Sequence, residues 1–197
     1  MTVDEYNRNL NNFLSSLEKK NIPLAIATQS SVQEIANRIF NEGKKSDGTD
    51  IGQYDNKTPI YKNPLFSPNA SGLKPTTGKT GSDTFKNGKK HKTKYIEGGY
   101  KEYKKLIGQK NDKVYLKDTN SLEFDFRKGK TSSGTKPTKI NEHSYTIQLD
   151  RKENEGKIDG HNEKYGMITD PTKEEVTNFE KIANLEFKNQ LEKFNLL

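Results

Sequence analysis

The 197-residue chain contains no cysteine, which excludes disulfides, thiolate metal sites and cysteine nucleophiles. Arginine is scarce: Arg8, Arg38, Arg127 and Arg151 are the full set, so bidentate recognition of phosphate or carboxylate has few candidates. Nothing approaches the run of about 18 apolar residues that a membrane helix needs. The opening MTVDEYNRNL has neither the basic nor the apolar region of a signal peptide, so a cytoplasmic protein with no membrane partner is expected. Large aliphatics are also few. Leu, Ile, Val and Phe supply 40 residues, close to the composition below which chains tend to be disordered. So thin a core favours a fold completed by neighbouring chains.

Catalytic and metal-binding patterns are missing as well. His91, His143 and His161 are dispersed and match no metal spacing, so no metal is expected. Asp47, Asp50 and Asp55 lie near Gly48 and Gly52 but miss the alternation of a calcium loop, and turn chemistry is the better reading. No Gly-x-Ser-x-Gly elbow or triad order is present. Gly72 to Thr80 ends in Gly-Lys-Thr, but five residues instead of four separate Gly72 from Gly78, and Pro75 removes an amide that would cradle phosphate. No catalytic residue and no cofactor are expected.

What the chain does have is lysine, which carries most of a formal net charge of +7. Thr2 and Glu5 have capping-box spacing, and Val3, Tyr6, Leu10, Phe13, Leu14 and Leu17 recur at helical intervals, predicting a helix over 3–20. Beyond Asn21 and Pro23, a second helix runs to a stop at Gly43. Residues 1–43 read as a helical hairpin. Residues 44–94 are rich in Gly, Pro, Ser, Thr, Asn and Lys, and are too long for an ordinary loop. They read as an extended arm anchored by Ile51, Tyr54, Tyr61 and Phe66, with Ile60 and Leu65 as further anchors.

Residues 95–197 complete the expected single domain. A helix is predicted from Tyr95 to Gly108. A β-hairpin is predicted from Val114–Leu116 and Leu122–Phe126, whose alternation suits strands. Another strand runs through Tyr145, Ile147 and Leu149, and a short helix or irregular turn lies between Gly156 and Gly166. Asp170, Pro171 and Glu174 then announce a last helix with the stripe Val176, Phe179, Ile182, Ala183, Phe187, Leu191 and Phe194. The expected class is α+β, a small antiparallel sheet packed with amphipathic N- and C-terminal helices, plus the arm.

Lys86, Lys89, Lys90, Lys92 and Lys94 fall in a stretch without acidic residues, a candidate contact for a polyanion or an acidic partner. The plain alternative is a solvated lysine-rich loop. On this run alone, a small basic nucleic-acid-binding module is the competing function.

Several segments taken in order carry a family resemblance. Arg38-Ile39-Phe40-x-x-Gly43-x-x-x-Asp47-Gly48-x-x-Ile51-Gly52-x-Tyr54 resembles the opening signature of the virion morphogenesis family of tailed bacteriophages, the tail-completion or head-to-tail joining proteins. Gly98-Gly99-Tyr100-Lys101-Glu102-Tyr103, running on to Gly108-Gln109, is similar to its Gly-Tyr-x-Glu helix and following turn. Val114-x-Leu116-x-x-Thr119-Asn120-x-Leu122 resembles its Leu-Thr-Gly-x-Leu hairpin, with Asn120 in place of the usual glycine. Asn162 to Gly166 and Asp170-Pro171-Thr172-x-x-Glu175 resemble its closing elements. The resemblance implies a non-enzymatic structural protein of the virion, made in the host cytoplasm and forming a twelve-fold or six-fold homo-oligomeric ring at the neck or tail. Portal, connector or tail proteins would be its neighbours, with non-specific contact to packaged DNA.

Overall fold

The computed structural model describes residues 1–62, 82–84, 88, 90–117, 120–128, 138–141, 144–146, 149 and 151–197. Phe66, Lys86, Lys89, Ile147, His143 and the Gly72 to Thr80 stretch lie outside them. Helix α1 spans Val3–Lys19 and α2 spans Ile22–Asn37, with one π-helical turn, Arg38–Glu42, continuing α2. Strands β1 (Ile60–Lys62), β2 (Ser82–Thr84), β3 (Lys90–Lys92) and β4 (Lys94–Ile96) lead into α3 (Gly99–Leu106) and α4 (Ser121–Lys128). Then come β5 (Thr138–Asn141), β6 (Ser144–Thr146), α5 (Lys152–Tyr165) and α6 (Lys173–Lys193). The class is α+β. Among the described residues the strands form three separate antiparallel pairs, β1 with β4, β2 with β3 and β5 with β6, in place of the one small sheet expected.

The helix ends follow their local chemistry. Thr2 and Glu5 form the predicted reciprocal cap on α1, and Thr172 and Glu175 form a second on α6. Asn21 caps α2 through its side chain, with Pro23 in the first turn. The π turn closes at Gly43, whose φ of +65° is left-handed and whose Cα faces the Val114 carbonyl so closely that a Cβ would lie 2.6 Å from it. Only glycine fits there.

The main core gathers on α2. Ile35, Ala36, Ile39 and Phe40 pack with Ile51, Val114, Leu122, Ile158 and Ile168. Successive α-helical residues turn by about 100°, so Arg38, Ile39 and Phe40 would span an arc wider than one buried face. The wider π turn coincides with the place where all three are buried. A second cluster, Ile96, Tyr103 and Ile107, joins β4 to α3.

Three elements differ from the pattern reading. Residues 121–128 are helical, not the second arm of a hairpin. Leu122, Asp125 and Phe126 fall at helical spacing on the inner side, and Phe124, which strict alternation would bury, is 55 % exposed. Asp125 accepts from the Arg151 amide at 3.1 Å and from Asn154 Nδ2 at 2.9 Å, which binds α4 to the start of α5. Secondly, the helix expected from Tyr95 begins at Gly99, because residues 94–96 pair with β1 in the register Lys62 to Lys94 and Ile60 to Ile96. Thirdly, the short helix or turn expected between Gly156 and Gly166 is a helix that starts earlier, at Lys152, and runs to Tyr165. Within this chain the α6 stripe is partly covered, with Val176 and Phe187 exposed.

Arg38 joins the two ends of the chain. Its Nε meets Glu175 Oε1 at 2.8 Å, Nη1 donates to the carbonyls of Ile168 at 3.1 Å and Lys44 at 3.3 Å, and Nη2 donates to the Asp170 carbonyl at 2.8 Å. Both partners of the ion pair are buried. Arg38→Ala leaves a buried carboxylate and three carbonyls without their donor. The expected loss is about 3 to 5 kcal/mol in urea unfolding. Glu175→Gln keeps one carbonyl oxygen and turns its amide NH2 towards the other donor, so it loses either the Arg38 contact or the cap. A loss smaller than that of Arg38→Ala is expected in the same assay.

Candidate assembly interface

The segment expected to be an arm starts inside the domain. Lys44 and Asp50 form an isolated bridge, Asp47 Oδ1 accepts from the Thr49 amide at 2.9 Å, and Asp55 Oδ1 accepts from the amides of Lys57 and Thr58. These are the turn roles read for Asp47 and Asp55, and the hydrogen bonds hold both carboxyls below the usual carboxylate range. Asp50 instead meets Lys113 Nζ at 2.6 Å.

Of the four named arm anchors, Ile51 is buried in the chain's own core and Tyr54 packs against it. Tyr54 Oη accepts from the Tyr115 amide at 3.1 Å. These two therefore anchor the segment to this domain, because residues 44–55 fold back across the end of α2. Tyr61 is on β1, 53 % exposed, with its ring 5.2 Å from that of Tyr95. It remains available to a neighbour.

Three lysines of the run fall on two ladders, and Lys86 and Lys89 lie outside the described residues. Lys90 and Lys92 are on β3, in register with Thr84 and Ser82, and Lys94 is on β4 opposite Lys62. Like charges directly opposite across a ladder repel. Lys62 Nζ lies over the rings of Tyr100 and Tyr103, at 4.7 and 4.6 Å from their centroids. Those π-faces favour the cation at the crowded position.

Two further surfaces were not legible as sites. Helix α1 buries Phe13 alone, which meets Phe187 and Phe194 edge-on at 5.4 and 5.8 Å. Val3, at 76 % exposure, and Tyr6, Leu14, Leu185 and Phe187 are left open to solvent. Exposed apolar patches larger than single scattered side chains mark interaction sites in general, which makes this face the candidate. Beside the Arg38 to Glu175 pair runs an open groove of about 960 Å³, with Glu34, Lys44, Arg127 and Glu174 on its walls. Helical periodicity announced Val3, Tyr6, Leu14 and Phe187 as apolar positions without deciding whether this chain or a neighbour covers them. The groove joins segments distant in the sequence, and no local pattern marks it.

Gly99 fixes how the 44–62 segment meets α3. Its φ is +64°, and an added Cβ would lie 2.7 Å from the Asp55 carbonyl and 2.8 Å from that of Thr58. Gly99→Ala adds backbone strain of about 1 to 2 kcal/mol to a clash with backbone that cannot swing away. A lowered melting temperature, with faster amide exchange in residues 51–60, is the expected result. Tyr115 offers a separate check. Burial first, then its bonds to Asp112, push its phenol up to about 12. Absorbance titration should lose its step near pH 12 in Tyr115→Phe. Because the folded value is raised, the stability linked to this group is complete below about pH 10 and disappears as pH climbs towards 12.

No family model matches the chain. Neither a curated protein nor a solved structure matches it.

Proposed function

We propose that this chain is a non-enzymatic structural subunit of a tailed-bacteriophage virion, working in the head-to-tail connector or completing the tail as part of a homo-oligomeric ring. One observation carries the reading. The residues that resemble the virion morphogenesis family, scattered from Arg38 to Glu175, meet one another as the scaffold of the fold. Arg38 binds Glu175, Ile168 and Asp170. Tyr54 accepts from Tyr115, Gly52 accepts from Val114, and Gly99 lies against Asp55 and Thr58. Asn120, which stands in the usual glycine position, has a left-handed φ of +61°, the conformation for which asparagine is the next-best residue.

The open apolar side chains of α1 and α6 support the same reading, since a ring subunit needs surfaces that its neighbours complete. The lysines of β3 and β4 suit packaged DNA or an acidic neighbour.

Mass spectrometry of purified particles from the virus encoding this chain should find it in the mature virion. Labelled antibody should place it at the neck or tail. Loss of the gene should leave filled heads and separate tails. Absence from the particle would overturn the proposal. In purified particles the exposed face of α1 should exchange amide hydrogens more slowly than in the isolated subunit.

A further inference from the structure

A second cavity, of about 610 Å³, lies between α3 and α5 and is closed at one side by residues 53–60, 114–117 and 120–122. Its size is that of a small-molecule site, about 300 to 1,000 Å³. It lies apart from the assembly surfaces described above and does not depend on the virion role.

Its walls combine two kinds of chemistry. The first is aromatic. Tyr54 and Tyr100 meet at 5.4 Å, and Tyr165 stacks with His161 at 6.0 Å and an interplanar angle of 29°, all four lining the cavity. The second is cationic. Lys157 and Lys164 stand on α5 one turn either side of His161, and Lys104 lies at the base. Lys104 is almost wholly buried, held by Gln109 Oε1 at 2.8 Å and by the Lys117 carbonyl, with Nζ 5.3 Å from the Tyr100 centroid.

The acidic side chain among the described lining residues is Asp55, and it already accepts from two amides of its own turn. Lys117, also on the wall, pairs with Glu123 at 2.9 Å. Lys157 Nζ donates to Asn154 Oδ1 at 2.8 Å and is 3.8 Å from Glu153 in an exposed pair, and Lys164 Nζ lies 4.9 Å from the Tyr165 ring centroid. The excess charge facing the cavity is therefore positive. Burial, then the charges of Lys164 and Lys157, hold His161 below its usual value, so at neutral pH it offers a neutral ring.

The backbone gives a further indication. Leu116 and Asn120 both line the cavity, with φ of +48° and +61°. Left-handed conformations at residues with side chains carry strain, which clusters at binding sites.

We infer that this cavity binds a nucleoside phosphate, with the base between the tyrosine faces and the phosphate at Lys157 and Lys164. Aromatic faces accept any base by stacking, and lysine is a point-charge partner for phosphate. The same chemistry is presented by a free mononucleotide and by a nucleotide of a DNA strand.

Calorimetric titration of the full chain with deoxyadenosine monophosphate tests the site, with inorganic phosphate and deoxyadenosine as half-ligands and a short single-stranded oligonucleotide as the second source. The expected result is saturable one-to-one binding of the mononucleotide, at least tenfold tighter than either half-ligand. Lys157→Gln/Lys164→Gln should weaken it at least tenfold with an unchanged melting temperature. Tyr165→Leu, which keeps apolar bulk, should weaken it without abolishing folding. An oligonucleotide that competes at least tenfold better identifies a strand as the source, and equal affinity identifies the free nucleotide. Three results would each overturn the inference: no mononucleotide binding at millimolar concentration, phosphate alone binding as well as the nucleotide, or the lysine double variant binding like the parent.

Discussion

A single guanidinium determines how the rest of this chain is arranged. Arg38 stands where α2 widens into its π turn, and its donors reach the carbonyls and carboxylate at the entry to α6. Glu175 has two tasks at once, because one oxygen takes Arg38 Nε and the other accepts the Thr172 amide of the cap. The start of α6 is thus defined by the end of α2. A buried charge pair gives weak net stabilisation unless its remaining hydrogen bonds are satisfied. Here the hydrogen bonds of Arg38 and Glu175 are satisfied by the Ile168, Lys44 and Asp170 carbonyls and the Thr172 amide.

From that junction the other contacts follow outwards. The chain leaving Gly43 folds back so that Ile51 enters the core and Gly52 accepts from Val114. Residues 114–117 then lie against the α2 end, α4 is tied to α2 through Gln33 and Arg127, and α5 is tied to α4 through Asp125 and Asn154. Many of these links are polar side chains bonded to backbone. With few large aliphatics available, such bonds supply geometric definition that a larger apolar core would otherwise provide.

Where a segment's structure is set locally, the sequence was sufficient to read it. The cap at Thr2, the stop at Gly43, the turn roles of Asp47 and Asp55 and the long final helix were all legible, although that helix is capped at Thr172, two residues beyond the expected start at Asp170. Residues 121–128 were not, because Leu122, Phe124 and Phe126 alternate as well as a strand does, and the deciding contacts of Asp125 come from Arg151 and Asn154. The strand at Lys94–Ile96 was hidden for a similar reason, since its partner lies more than thirty residues earlier. Ile51 and Tyr54 were recognised as anchors, but spacing says nothing about which chain an anchor enters. The tyrosine and lysine cavity is drawn from α3, α5 and two connecting segments, so its parts are adjacent only in space.

The way α1 is fastened has a dynamic consequence. It buries one residue, Phe13, between two rings at the far end of α6, while the core on α2 is built without it. Releasing α1 therefore exposes Phe13, its ring partners Phe187 and Phe194, and the half-buried Leu10 and Leu17, and leaves the Arg38 junction intact. Such an element opens as a unit of its own, at a free energy well below that of global unfolding. It is the part of the chain that can trade an intramolecular socket for an equivalent one on another copy without the fold being remade.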